Sequence, residues 1–306
     1  MQKLTHRVLV GGTASGKKAV AASLCRRHDL LPLSMDSMKV YRGMDIGTDK
    51  PPRALVDELD WRLLDLVDHD ERYSAGRWVD QAADIAGQTE RSLLFAGGTP
   101  LYLRLLLQGL VPVPPADTAL EAELEALWES EGEAHFREQL AAVDPDLEAR
   151  LFPGDKKRLV RGLEVYRLTE RPLSDWQREE TVRPIKGQFL VVALRHEPSA
   201  HERRIRKRVS RMFEEGFLDE VAALLAKASF GRESGQSIGY AEAQDVLADR
   251  MAKDAAIERI AIRTRQLVRK QRMFLSSFPD IQWVDIRPDE SEEDLASRVE
   301  ARLSLD

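Results

Sequence analysis

Near the start of the chain, Gly11-Gly12-Thr13-Ala14-Ser15-Gly16-Lys17 satisfies the pattern G-x-x-x-x-G-K, and the chemistry of that pattern is the binding of an anion. Glycines let successive backbone N–H groups turn inward as a nest. The N-terminus of a following helix adds partial positive charge, and Lys17 adds a full one. An apolar run from Arg7 to Val10 precedes the loop and a helical pattern from Lys17 to His28 follows it. In that context the pattern holds a phosphate chain, by default that of ATP, rather than forming only a tight strand-to-helix turn. One position departs from the pattern. The residue after the lysine is ordinarily Ser or Thr, whose hydroxyl ligates magnesium, and here it is Lys18. A charged lysine has no lone pair to give a metal. Either magnesium is held without this ligand, or Lys18 partly replaces its charge, or Lys18 points to solvent from the first helical turn.

Arginines form the second chemical feature. Arg204, Arg208 and Arg211 fall at i, i+4 and i+7, and Arg265, Arg269 and Arg272 repeat the spacing, so each set shares one helical face. Such a stripe is either a solvated face or a track for nucleic-acid phosphates. Two of them in a protein with a phosphate loop favour the track. Other candidates are weaker: the six histidines show no metal-ligand spacing, and the single cysteine, Cys25, lies among alanines and leucines as a small core residue. The dispersed tryptophans Trp61, Trp78, Trp128, Trp176 and Trp283 are expected to serve packing.

The elements that must position these groups follow from the apolar runs. Arg7 to Val10, Leu31 to Ser34 and Leu93 to Ala96 alternate with helical patterns, which predicts a parallel α/β sheet. The loops at Gly11, Asp36 and Gly97 each follow a run, and so should gather at the carboxyl edge of the sheet, where such folds bind ligands. After Gly109 the stiff stretch Val111-Pro112-Val113-Pro114-Pro115 leads into a Glu/Ala/Leu-rich helical region up to about Gln177. Gly187 to Arg195 then reads as a buried strand returning to the sheet, followed by long basic helices and a last strand at Ile281 to Ile286. The expected fold is therefore α/β, a P-loop NTPase-like parallel sheet core over 1–115 and 186–306, with an inserted helical subdomain over 116–185.

Composition bounds the partners. With 306 residues and 43% of them hydrophobic the chain can bury a real core. One cysteine excludes a disulfide framework and points to a reducing compartment. The sequence gives no signal peptide or membrane span, and a cytoplasmic monomer without membrane contact is expected. The net charge of −6 argues against nucleic acid on average, yet acid collects in Glu121 to Glu138 and in Asp289 to Asp294, whereas Arg203 to Arg211 and Arg259 to Arg272 are basic. Local stripes suffice for RNA contact.

Beyond the loop, the stretch Ser34-Met35-Asp36-Ser37-Met38-Lys39-Val40-Tyr41-Arg42-Gly43-Met44-Asp45-Ile46-Gly47-Thr48 resembles the signature of the tRNA dimethylallyltransferases, also called isopentenyltransferases. Further pieces arrive in the family's order: Tyr73-Ser74-Ala75-Gly76, Gly97-Gly98-Thr99 with Leu101-Tyr102-Leu103, Arg158 with Arg161 to Val165, Ser237-Ile238-Gly239-Tyr240, and Arg265-Gln266-Leu267 with Lys270-Gln271. They span nearly the whole chain. The resemblance implies a helical insertion that grips the tRNA anticodon stem-loop. It also implies transfer of a dimethylallyl group from dimethylallyl diphosphate to the exocyclic amine of the adenosine 3′-adjacent to the anticodon, with Mg2+ as cofactor. Gly11 to Lys17, with Lys18, would hold the diphosphate; Asp36 matches the general base and Arg204 the diphosphate-binding arginine. Thr99 and the segment Asp36, Ser37, Met38, Lys39 match tRNA contacts. So do Lys157, Arg158, Leu159, Val160 and Arg161, and, further on, Arg265 and Gln266.

These residue types suit such a reaction. An adenine amine is a poor nucleophile, and a carboxylate placed to take its proton lowers the barrier; alternatively Asp36 holds a magnesium-bound water, as acids near phosphate loops do. Charge builds on the leaving diphosphate, where the loop N–H groups, Lys17 and Arg204 can meet it, unless Arg204 is one more phosphate contact on a basic helix. The target base must leave its stack, and Thr99, Ser37 and Lys39 are candidate partners for it. The family usually has Pro at Gly12, Thr at Lys18, Gln at Lys39 and often Gly at Pro100. A catalytically weakened tRNA-binding paralogue and a P-loop small-molecule kinase are the alternatives.

Overall fold

A computed structural model of the chain describes residues 4–305. Five strands, β1 (Thr5–Gly11), β2 (Leu31–Met35), β3 (Leu93–Gly97), β4 (Gln188–Arg195) and β5 (Gln282–Asp285), form one sheet in the order β2-β3-β1-β4-β5. Every pairing is parallel: Val8 of β1 lies opposite Phe95 on one side and Val191 on the other. The inner parts of β1, β3 and β4 read as apolar runs because both faces are covered there, and all of β2 and β3 is buried. The helices are α1 (Lys17–His28), α2 (Arg53–Leu59), α3 (Ala75–Gln88), α4 (Pro100–Gln108), α5 (Thr118–Val143), α6 (Pro145–Glu148), α7 (Lys156–Thr169), α8 (Leu173–Trp176), α9 (Pro198–Glu214), α10 (Phe217–Leu225), α11 (Tyr240–Leu247), α12 (Lys253–Leu275) and α13 (Glu292–Arg302).

The chain forms two compact units. The first runs up to Leu107 and resumes at Ile185; the second is Gln108–Pro184. In the first, α1 packs its small face, Ala21, Ala22 and Cys25, into a core shared with Leu9, Leu194 and Val299. Burial pushes the Cys25 thiol up to about 12, as befits an inert core residue. Trp78 of α3 is fully buried, stacks on Tyr102 of α4 at 4.4 Å between ring centres, and donates its indole N–H to Ser34 O at 2.9 Å. That bond ties the end of β2 to the helix layer. Gly97 closes β3 against β2: a Cβ there would lie 2.0 Å from Met35 O, so no larger residue fits.

The second unit has its own core, with Leu124, Phe136, Leu140, Leu159 and Leu163 at its centre. Its two ends meet in an antiparallel bridge between Leu110 and Val182, which brings the proline-rich stretch from Val111 inside the unit. The helical pattern of α5 is interrupted at Gly132, whose φ of 75° and ψ of −174° suit glycine alone. Two buried carboxylates stitch the unit together. Asp144 accepts from Leu147 N and Ser174 N, joining α6 to α8, and Glu164 accepts from Asp117 N and from Arg161. No helix among the described residues is long and apolar enough to cross a membrane.

Candidate active site

The loop after β1 is shaped by its backbone. Ala14 (φ 64°) and Gly16 (φ 87°) both adopt positive φ, curling the chain so that Ser15 N donates back to Gly12 O at 3.2 Å. Gly16 caps α1 without a side chain, which leaves the N–H groups of the first turn to a ligand. Lys17 reaches back over the loop: its ammonium donates to Gly11 O (2.9 Å), Gly12 O (2.8 Å) and Ser15 Oγ (3.2 Å). Burial, and then the neighbouring Lys39, push Lys17 down to about 7, with Asp36 and Asp49 opposing.

Helices α9 and α12 close over this loop and hold it by side chains. Gln271, buried, accepts from Thr13 N at 3.1 Å and donates to Gly98 O at 2.8 Å, joining the loop after β1 to the loop after β3. His201 bonds Thr13 O through Nε2 at 2.8 Å, and Arg204 donates from Nε to Ala14 O at 3.3 Å. The Gly12 departure is accommodated here: a Cβ would meet Val268 at 3.0 Å and His201 at 3.1 Å, so those two side chains fill the space a larger residue needs.

On the other flank the turn after β2 carries Asp36. Its Oδ1 accepts from Met38 N at 3.0 Å, a local turn that fixes the carboxylate. Thr99 sits at the end of β3 and binds the same turn: its N–H donates to Met35 O at 3.2 Å and its Oγ1 accepts from Ser37 N at 2.9 Å. Pro100 then opens α4, at a first helical turn where a missing N–H costs nothing. Asp36 is close enough to act electrostatically on both Lys17 and Lys39.

Between the flanks lies Asp49. Lys18 neither points to solvent nor stands free: its ammonium pairs with Asp49 Oδ1 at 2.7 Å. Lys39 donates to the backbone oxygen of Asp49 at 2.8 Å, and Arg208 to Gly47 O at 3.3 Å. Against the upward push of burial, Arg208, Lys39 and Lys18 hold the Asp49 carboxyl below its ordinary value. Burial pushes Lys39 down, opposed by Asp36 and Asp49. The first arginine stripe is thus divided. Arg204 and Arg208 turn to the loops, whereas Arg211 pairs with Glu215 on the surface.

The second stripe lines a cavity of about 940 Å³ between β4, α9 and α12, where Arg265, Arg269 and Arg272 join His196, His201 and Trp283. Arg265 pairs with Glu202 at 3.0 Å, and Gln266, one position on, is exposed. In the second unit Lys157 and Arg158 are exposed on the first turn of α7, which Asp155 caps through Arg158 N. Arg161 is committed to Glu164. The expectation that Leu159 and Val160 contact RNA is corrected by their burial at 0% and 6% exposure: on a helix whose apolar face makes the core, they point inward.

Sequence analysis assigns no site role to Asp49, Gln271 or His201, and gives Arg208 only as part of an arginine stripe. Arg208 was marked by its spacing from Arg204, and Gln271 lay inside a motif that matched; nothing marked His201. Among the described residues no group of three or more His, Cys, Asp and Glu could hold a metal.

Comparison with known proteins agrees with this architecture. The IPP transferase family model matches residues 39–277. A tRNA dimethylallyltransferase of Geobacter sulfurreducens is 39% identical over 283 residues, covering 91% of each chain. A tRNA dimethylallyltransferase 2 of Geotalea uraniireducens is 38% identical over 287 residues, covering 92% of this chain and 93% of its own. Among solved structures, the full-length tRNA isopentenylpyrophosphate transferase of Bacillus halodurans superposes with a TM-score of 0.69 at 28% identity, over 99% of this chain and 97% of that one. A eukaryotic dimethylallyltransferase acting on tRNA shares the fold, with a TM-score of 0.81 at 24% identity over 97% and 78% of the two chains. The family model spans most of the chain and both of these tRNA dimethylallyltransferases match it along nearly their whole length, so the chain belongs to the IPP transferase family.

Proposed function

We propose that the protein transfers a dimethylallyl group from dimethylallyl diphosphate to the exocyclic amine of the adenosine 3′-adjacent to the anticodon of a tRNA. The observation that carries this reading is the pairing of two unlike groups at one sheet edge: a carboxylate on the turn after β2, braced by Thr99, and an anion cradle after β1 crowned by Arg204. In the reaction the C–N bond forms as the allylic C–O bond breaks. The C–O electron pair stays on the diphosphate oxygen, and the amine proton passes to Asp36. The carboxylate thus serves the nucleophile while Lys17, Arg204 and the loop N–H groups meet the charge growing on the leaving group. The exposed Lys157 and Arg158 of the second unit would contact the anticodon stem-loop as phosphate ligands. The kinase alternative loses ground because Lys18, committed to Asp49, stands where a kinase-type loop needs its magnesium hydroxyl.

The test is incubation of purified protein with unmodified tRNA and dimethylallyl diphosphate, followed by digestion and mass spectrometry. One prenylated adenosine beside the anticodon is expected. Tight tRNA binding with no modified base at any enzyme concentration would instead identify a paralogue that has lost the chemistry. ATP turnover on small substrates without tRNA would identify a kinase.

A further inference from the structure

The phosphate-loop pattern reserves the position after its lysine for a metal-ligating hydroxyl, and the residues at that position do not fit a divalent metal. Lys18 brings a cation there, its ammonium 2.7 Å from Asp49. The Asp49 carboxylate is already held by Lys18, and Lys39 and Arg208 act on it as well. A magnesium ion at this point would have to displace one lysine and sit beside another, and like charges at such range repel strongly. We propose that the site binds and stabilises the leaving diphosphate without a divalent metal, Lys18 and Lys39 supplying the positive charge that an ion supplies in other phosphate loops. The inference rests on the diphosphate reading of the loop given above.

The local charges agree. Lys17, Lys18, Lys39, Arg204 and Arg208 face Asp36 and Asp49 around one loop. The surplus of cations over carboxylates equals the negative charge of a fully ionised diphosphate monoester. As the allylic C–O bond breaks, its electron pair adds one more negative charge to the leaving group, and the amine proton goes to Asp36, so charge is conserved between the two flanks. Preorganised cations already in place need no reorganisation as that charge develops. Burial first of all depresses Lys17 and Lys39, and a bound anion would restore their charge. Lys18 is also positioned rather than floppy, since Asp49 sets its direction from the first turn of α1 while leaving about a third of its side chain exposed.

The experiment is calorimetric titration of the whole protein with inorganic pyrophosphate and with dimethylallyl diphosphate, in EDTA and in magnesium. Single-turnover prenylation of unmodified tRNA is followed in the same buffers. The wild-type dissociation constant is expected to change by less than about tenfold between the buffers. The Lys18→Thr, Lys39→Gln double variant should lose on the order of a hundredfold in EDTA and recover part of it with magnesium. Wild-type binding that collapses in EDTA and returns with magnesium overturns the inference, and it does so without any variant having to fold. So does a double variant that binds in EDTA as tightly as the wild type. Metal-independent binding with no prenylation in either buffer would leave this inference standing and remove the transfer reading, so the two fail separately.

Discussion

At the scale of single residues, Asp36 and Lys17 make separable predictions. Asp36 takes the amine proton in the proposed reaction and touches no phosphate group, so Asp36→Asn should lower the single-turnover rate by about a hundredfold or more. Dimethylallyl diphosphate should bind it as tightly as the wild type; a parallel loss of binding would mean the carboxylate organises the loop instead. Lys17 predicts a pH dependence. Its pKa is depressed to about 7 without ligand, and a bound anion favours the protonated form, so binding should take up a proton at and above pH 7. Affinity should then fall as pH rises through 7, by at most about tenfold per unit for one proton. Calorimetry in two buffers of different ionisation enthalpy measures that uptake, and none at pH 8 would contradict it. The loop was legible because its motif is local, Gly11 to Lys17 carrying its chemistry within a few residues, whereas Asp36 is singled out by the resemblance more than by its spacing. Asp49 was not legible, for its meaning depends on Lys18 reaching its carboxylate and Lys39 its backbone oxygen once the chain has folded.

At the scale of elements, the strands were readable to within a residue or two because central parallel strands are buried on both faces and so read as apolar runs. The break in α5 was not, since an isolated glycine in a helical pattern gives no sign that Gly132 adopts φ 75°. The arginine stripe of α9 was visible as periodicity, but its use was not. Only the packing of α9 over the phosphate loop shows that Arg204 and Arg208 face the site and Arg211 faces solvent. Helix α12 makes the most specific element-level prediction. Gln271, itself buried, is bonded both to Thr13 N and to Gly98 O, so it holds the loops after β1 and β3 in register. Gln271→Ala would leave two partly buried backbone groups without their partner, at a cost of about 1 kcal/mol. Thermal unfolding should show that loss, and pyrophosphate affinity should fall with it. Unchanged pyrophosphate affinity in a destabilised variant would confine Gln271 to packing.

At the scale of the whole molecule, a net charge of −6 is compatible with a polyanionic substrate only because the cations are sorted. One group gathers around the phosphate loop, and the other lies on the surface of α7 in a unit with its own core. That separation predicts which measurements move together. Lys157→Ala with Arg158→Ala removes two surface cations from the first turn of α7, remote in sequence from every group that holds the loop, and both side chains are exposed. The second unit should therefore still fold, as circular dichroism would register. If the two contact tRNA phosphates, the slope of log affinity against log salt should become shallower by about 1.4 to 1.8, the value for two contacts at 0.7 to 0.9 each. Affinity at low salt should fall by about tenfold, while pyrophosphate binding, which belongs to the first unit, should not change. A salt slope equal to that of the wild type would show that the strip carries no phosphate contact. The basic face of α12, with Arg265, Arg269 and Arg272 around its cavity, would then be the remaining candidate for holding the nucleic acid, and alanine substitution of Arg269 and Arg272 should flatten the slope instead.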